Sequence, residues 1–515
     1  MNVKKHWHKL SRWATAGALS LTMVAGSVLP ANAASPAPEA PVPTLSPWSV
    51  KTLHEGEKYG IYPLNWYYGG SFQKPITADN FKSLMNATAK KLDMLGFKKK
   101  EVSLSFPAGQ TITRETVITS LHKLLSNYEL PETYGLASDS PVDFMKNNGV
   151  VQGTKAGLQL DQPCTAEQAA VMASRLVEFA YDTAGKGAEG LMWKVTNGNN
   201  TLYLLGSIHL GNTDMYPMHK SIREAFEASE DLWVEVDIVN GDMSYFTEKM
   251  AYSDGTKVKD HVSAGTYEKL QKVLKKLQLP AETFDGYKPF AISSTLSTFS
   301  VLDNPAETEL ASVTGIDRYF LGKALLSGKP IHELEGIKLQ ADLFANVPAE
   351  EQEKELNVML DSLLSDQGQG DAAEQLKAMQ QAWVKGDAEG LTQSLTDSEL
   401  TQSEANRRLF GERDKNMAKK LVELLERKGE HTSFVVVGAG HYVIKGMVVD
   451  LLKEKRLQRS IYAISLRDLT MKSRKAQPLG RLGFFFARFH IMMKTHDNHK
   501  VYVIDAFLGD FYIQS

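Results

Sequence analysis

The sequence predicts an α/β (α+β) domain in its C-terminal half, with a mixed sheet and a large helical insertion, behind a small, mainly helical N-terminal domain. Three observations predict it. Two apolar runs, Thr201 to Leu205 and Ser433 to Val437, each lead into a glycine-flanked histidine. The second run, rich in β-branched residues, is typical of a strand buried on both faces of a sheet. Between them, residues 242–430 carry several segments with the apolar spacing of amphipathic helices. Ahead of them, three short segments each open a helix behind a threonine.

Composition narrows the function classes. At 515 residues the chain exceeds one ordinary core, so two or three domains are expected. A hydrophobic content of 43% with 23% charged residues describes a globular protein. Lys and Arg number 58 against 61 Asp and Glu, a net charge of −3, and no nucleic-acid partner is expected. The single cysteine, Cys164, excludes an internal disulfide framework and cysteine-rich metal clusters, and reads as a core residue.

Residues 1–33 read as a signal peptide. Lys4, Lys5, Lys9 and Arg12 precede the uncharged run Ala14 to Leu29, and Ala31-Asn32-Ala33 supplies the small-x-small cleavage pattern. The expectation is a secreted or cell-envelope protein, cleaved near Ala33. Residues 34–47, rich in Pro, Ala and Ser, read as a disordered linker. Residues 48–183 hold the repeated helix starts: Pro75 to Phe81, Ile112 to Val117 and Cys164 to Ala170. In each, Thr is a candidate N-cap and Asp79, Glu115 or Glu167 lies in the first turn. Gly-rich turns precede two of them. The pattern resembles degenerate S-layer homology modules. The closest correspondence is Ile112-Thr113-Arg114-Glu115, while Ala78 and Ala166 replace the basic residue elsewhere. The resemblance implies a cell-wall polymer as partner; a helical packing or spacer domain is the competing reading. Ala184 to Gly190 marks the boundary.

In the second domain, residues 190–455, Met192 to Val195 and Thr201 to Leu205 flank an Asn197-Gly198 hairpin turn. The second run leads into Gly206-Ser207-Ile208-His209. A short helix, about Met218 to Ala228, precedes the run Leu232 to Asp237, in which Glu235 and Asp237 interrupt apolar neighbours. Carboxylates in such a run are costly to bury unless paired or bound to a cation. Helices are expected at Tyr267 to Leu277, Glu350 to Leu364 and Ala372 to Val384, with a flexible joint at Asp366 to Gly370. The run Ser433 to Val437 ends in Gly438-Ala439-Gly440-His441, followed by a helix from about Val443 to Lys453. Parallel strands present their C-terminal ends on one edge, where α/β folds bind ligands. His209, His441 and Glu235 therefore form a candidate cation site.

Residues 190–455 resemble the TraB/PrgY/GumN family, to which Tiki-type membrane proteases are related. The matching residues run in the family's order: Tyr203 to His209, Tyr216-Pro217, Val234 to Asp237, Tyr287 to Pro289, Gly315 to Asp317, Lys329 to Glu335, Gly411 to Asp414 and Gly438 to His441. The paired GxxH motifs, with motif glycines Gly206 and Gly438, map onto His209 and His441, the motif Glu onto Glu235 and the motif Arg onto Arg413. Asp414 stands where many members have Asn. The resemblance implies a hydrolase, most concretely a peptidase, that acts on a peptide or protein substrate with a divalent metal ion of the manganese or cobalt kind. Its implied roles are metal ligands His209, His441 and Glu235, with Glu235 alternatively the base, and Arg413 at a developing oxyanion or a substrate carboxylate. Asp317, Glu335 and Asp237 are second-tier candidates: Asp317 competes with a surface pair to Arg318, Glu335 with a helix-start carboxylate. A non-catalytic peptide-sequestering protein and a cell-wall structural protein are the rival functions. Residues 456–515 read as an atypical basic tail in which neither the helix nor the strand period holds, apart from a strand-like run at Val501 to Ile504.

Overall fold

The computed structural model describes residues 44–100, 111–136, 140–301, 310–395, 410–454 and 459–463. They belong to a compact unit spanning residues 1–465; a second unit, residues 466–515, lies wholly outside the described residues. The expected signal peptide, most of the linker and most of the basic tail also lie outside them. Among the described residues no helix is long and apolar enough to cross a membrane.

In chain order the elements are α1 (Val50–Gly56), α2 (Ala78–Asp93), α3 (Arg114–Ser126), α4 (Pro141–Asn147), α5 (Ala166–Thr183), β1 (Leu191–Asn197), β2 (Asn200–Ser207), α6 (Lys220–Ala228) and β3 (Asp231–Val234). Next come α7 (Ser244–Met250), α8 (Ala264–Lys276), α9 (Pro289–Val301), α10 (Ile316–Ser327), β4 (Ile331–Glu333), α11 (Ile337–Ala345), α12 (Ala349–Leu364), α13 (Asp366–Val384), α14 (Ala388–Leu395) and α15 (Glu412–Leu425). The series closes with β5 (Thr432–Gly438), α16 (Gly440–Val443), α17 (Val448–Glu454) and β6 (Arg459–Ala463).

The three expected threonine caps form. Thr77, Thr113 and Thr165 accept the backbone N–H groups of Asn80, Thr116 and Gln168, satisfying donors that a helix start leaves open. Arg114 is buried and donates its Nε to the Leu158 carbonyl at 2.7 Å, which ties a loop down. Glu167 is also buried. It accepts from Ser46 N, Ser46 Oγ, Ser49 Oγ and Gln73 Nε2 at 2.7 to 3.2 Å. Ser46, read as part of a disordered linker, is therefore held on α5.

The sheet is mixed, with order β4-β3-β5-β2-β1-β6. β2, β5, β3 and β4 run parallel, and β1 pairs antiparallel with β2 and with β6. The β1–β2 hairpin closes through Gly198, whose φ of 58° suits glycine. In the centre, Phe434 to Val437 of β5 are fully buried. The main core continues from the N-terminal helices into the sheet. Across the expected boundary, Ala188 N donates to Pro217 O and Glu189 N to Val384 O, both at 2.9 Å. The insertion helices α8, α9 and α12 have a second core of their own around Leu270, Phe284, Ile292 and Leu360.

Four expectations are corrected. β3 ends at Val234, so Glu235 and Asp237 lie just past the strand rather than within it. The expected joint at residues 366–370 is the first turn of α13; buried Leu376, Met379 and Trp383 carry this helix despite the cost of its glycines. The last helix starts at Val448 because Gly446, with φ 83°, breaks the chain after α16. Arg459 to Ala463, assigned to an irregular tail, forms β6 on the open edge of β1. Backbone pairing on such an edge needs no side-chain alternation.

Candidate active site at the C-terminal edge of the sheet

β2, β5 and β3 end side by side, with Ser207 opposite Gly438 and Val234 opposite Val436. The register delivers His209, His441 and Glu235 to one edge. The place a Cβ on Gly438 would occupy lies 3.2 Å from Glu235 Oε1, 3.8 Å from His441 Cδ2 and 3.9 Å from His209 Nε2. Gly438 thus leaves open the space between the three side chains. A Cβ on Gly206 would press on Ala439 at 3.0 Å, so this glycine lets the two GxxH turns pack together. Ala439 N donates to Ser207 O at 2.9 Å across that contact.

A second glycine pair builds the first half of the site. A Cβ on Gly211 would overlap the Thr314 carbonyl, and one on Gly315 the His209 carbonyl. The two loops cross backbone on backbone, with Ile316 N donating to Ile208 O at 3.1 Å. That crossing sets Asp317, in the first turn of α10, beside His209. Asp317 Oδ2 lies 2.7 Å from His209 Nδ1. Asp317 is buried, so the pair to Arg318 at the surface is not its role. Burial works against a charged His209 imidazole, but the Asp317 carboxylate outweighs it and raises the pKa above the ordinary value.

The second half is built alike. Asp414 Oδ1 lies 2.9 Å from His441 Nδ1, and its Oδ2 accepts the Gly411 N–H at 2.8 Å. Asp414 is fully buried. Glu235 Oε1 accepts the Gly438 N–H at 2.6 Å, and Oε2 accepts from Arg413 Nη2 at 3.0 Å. Arg413 also holds Glu335 in a two-pronged pair, Nε to Oε1 at 2.8 Å and Nη2 to Oε2 at 2.7 Å. Gln340 Nε2 donates to Glu335 Oε2 at 2.6 Å and reaches Glu235 Oε2 at 3.4 Å. Burial would raise the Glu235 pKa. His441, Arg413, His209 and the Gly438 N–H outweigh it and hold the carboxyl below its usual range. Burial opposes the Arg413 charge too, and its carboxylate neighbours, Glu335 first, more than restore it.

The structure thus brings His209, His441, Glu235, Arg413, Asp317 and Glu335 to one edge. Asp237 is elsewhere in role: its Oδ1 accepts Val239 N and Asn240 N, both at 3.0 Å, in its own exposed turn. Sequence reasoning missed Gln340, Gln380 and Trp383, and gave little weight to Asp414. Gln380 Nε2 donates to Leu210 O at 2.9 Å and Trp383 Nε1 to Gly206 O at 2.7 Å, so α13 clamps the His209 loop. Gln340, Gln380 and Trp383 lie in no motif, and Gln380 and Trp383 meet partners distant in sequence. Only the immediate succession of Arg413 and Asp414 was available as a signal.

The chain is 24% identical over 151 residues to the uncharacterized protein YbaP of Escherichia coli (strain K12), and equally to that of Shigella flexneri. The alignment covers 29% of this chain and 54% of the relatives, so the chain spans about half the length of the curated relatives it matches. No solved structure matches it. The TraB/PrgY/gumN family profile matches residues 191–458, which contain every strand but β6 and all the site residues above, and the chain belongs to that family.

Proposed function

We propose that this protein is a metal-dependent hydrolase of peptide bonds, with His209 and His441 holding a divalent cation of the manganese or cobalt type. The observation that carries the reading is the pairing of each imidazole Nδ1 with a buried carboxylate, Asp317 or Asp414. An imidazole that gives its Nδ1–H to a carboxylate presents Nε2 as a lone-pair donor, the usual support for a metal-binding histidine. Among the described residues no three His, Cys, Asp or Glu side chains stand grouped at metal-ligand spacing. The two imidazoles therefore carry the fit. Glu235, with one oxygen on the Gly438 N–H and the other on Arg413, is better placed as the base than as a third ligand. Among the described residues the buried Tyr442 hydroxyl, next in sequence to His441, has no hydrogen-bond partner.

A divalent cation in such a site supplies Lewis acidity and a more acidic bound water. The chain's own residues do the rest. Glu235, kept ionised, accepts a proton at Oε1. The Nε and Nη2 groups of Arg413 are committed to Glu335 and Glu235, so Arg413 orients the base rather than an oxyanion. The proposal extends to location and partners: the N-terminal sequence supports action outside the cytoplasm, and residues 48–183 are proposed to contact cell-wall polymer.

The test uses the full-length chain. Bound metal and peptide cleavage are measured together for wild type, His209→Ala and His441→Ala, with and without added manganese or cobalt. Metal-dependent cleavage lost in both variants, with circular dichroism unchanged, is the expected result. Absence of metal binding and of cleavage in the wild type overturns the reading in favour of a sequestering protein.

A further inference from the structure

The N-terminal helical region reaches the candidate site through α10. This helix carries Asp317 in its first turn and, further along, Tyr319 and Lys323. Tyr319 OH donates to Glu55 Oε2 at 2.7 Å, and Lys323 Nζ donates to Glu55 Oε1 at 3.1 Å. Glu55 belongs to α1, outside the matched family segment. The contact is closely fitted: the His54 ring stacks on Tyr319 with centroids 5.4 Å apart, and a Cβ on Gly322 would crowd His54 Nε2 at 2.6 Å. Tyr319 in turn lies 5.2 Å, centroid to centroid, from Tyr216, whose OH donates to Thr314 O at 2.9 Å beside the Gly211–Gly315 crossing.

The same region holds the other partner of the pair. Lys91, on α2, donates to Thr213 O at 2.6 Å in the loop that follows His209. Both the helix bearing Asp317 and the loop bearing His209 are therefore anchored on residues before 100. The second half of the site takes its bonds from Asp414, Gln340, Arg413 and Gly438, all beyond residue 190.

We infer that Glu55 is a positioning residue for the His209–Asp317 pair, and that the N-terminal helical region is a working part of the site. A carboxylate that accepts from both Tyr319 and Lys323 fixes the rotation and axial position of α10, and with them the reach of Asp317 to His209. Charge-assisted bonds at a partly buried position are the strong members of their class. The inference concerns how the site is held and does not depend on the reaction the site carries.

The test compares full-length Glu55→Ala, Glu55→Gln and Tyr319→Phe with wild type, each labelled with 15N-histidine and free of added metal. The readout is the Nδ1–H resonance of His209, with that of His441 as internal reference; both are assigned from His209→Gln and His441→Gln. In Glu55→Ala the His209 proton should exchange with solvent about tenfold faster, as when one net hydrogen bond of support is lost. His441 should be unchanged. Glu55→Gln, which keeps an acceptor for Tyr319, should restore most of the protection, and Tyr319→Phe should repeat a milder form of the loss. An unchanged His209 signal in all three, or equal losses at His209 and His441, overturns the inference. Should Glu55→Ala fail to fold, Tyr319→Phe and Glu55→Gln decide it alone. Because no metal or substrate enters, this result and that of the hydrolysis test fail independently.

Discussion

Arg413→Met removes a cation that lies between two largely buried carboxylates, Glu335 and Glu235. Arg413 is 7% exposed and donates to Glu335 at 2.8 and 2.7 Å and to Glu235 at 3.0 Å. Methionine fills similar space but leaves Glu335 and Glu235 facing each other across Gln340 Nε2. Breaking a buried ion pair by removing one partner costs about 3–5 kcal/mol, because the remaining charge stays desolvated. The expected loss at pH 7.5 is therefore about 4 kcal/mol. It should shrink at pH 5. In the variant a carboxyl pKa rises above its unfolded value, so stability returns as pH falls through that raised pKa. Glu335→Met in the same chain should cost less than the sum of the two singles, by roughly 1–3 kcal/mol, since one stranded carboxylate is gone. The assay is urea unfolding of the full-length chain by circular dichroism at both pH values. A loss below about 1 kcal/mol at pH 7.5, or strict additivity with Glu335→Met, would refute the view of Arg413 as the keystone of this cluster.

Three further outcomes are expected. Asp317→Asn and Asp414→Asn should each weaken manganese binding by about 10–100-fold, read by titration calorimetry, because each carboxylate sets the orientation and basicity of its imidazole; unchanged affinity in both would remove the main support for the metal site. Burial pushes the Lys91 ammonium down to about 8. The folded chain then binds fewer protons than the unfolded one between about pH 8 and 10.5, so stability rises with pH across that window. Comparison with Lys91→Met should isolate a contribution of about 3 kcal/mol, and an equal pH slope in both chains would count against it. Gly315→Ala should cost more than about 3 kcal/mol by forcing the two site loops apart, while Gly198→Ala, at φ 58° in open space, should cost about 1–2 kcal/mol for its backbone alone; similar midpoints for the two variants would contradict the loop-crossing account.

Much of this fold is legible in the sequence because its signals are local. The Thr77, Thr113 and Thr165 caps, the Asn197-Gly198 turn and the apolar run of β5 each depend on a few consecutive residues. The misreadings are also local in origin. Glycines at 368 and 370 suggested a joint, but the helix is carried by Leu376, Met379 and Trp383 further along. The run that forms β6 lacked a period, yet an edge strand needs only backbone partners.

The sequence by itself determined which residues are chemically equipped: two GxxH histidines at strand ends, an acidic residue in a third apolar run, and, through the family resemblance, an arginine downstream. The histidine and glutamate assignments need only residue type, spacing and the direction of parallel strands. Tertiary structure alone decided what each one touches. Asp317 meets His209 because two glycines let distant loops cross; Glu335 meets Arg413 because β4 lies beside β3, and Gln340 joins them from the next helix. Glu55 meets Tyr319 across 264 positions of sequence. Such pairings are set by close packing of elements far apart in the chain, and no short window of residues encodes them.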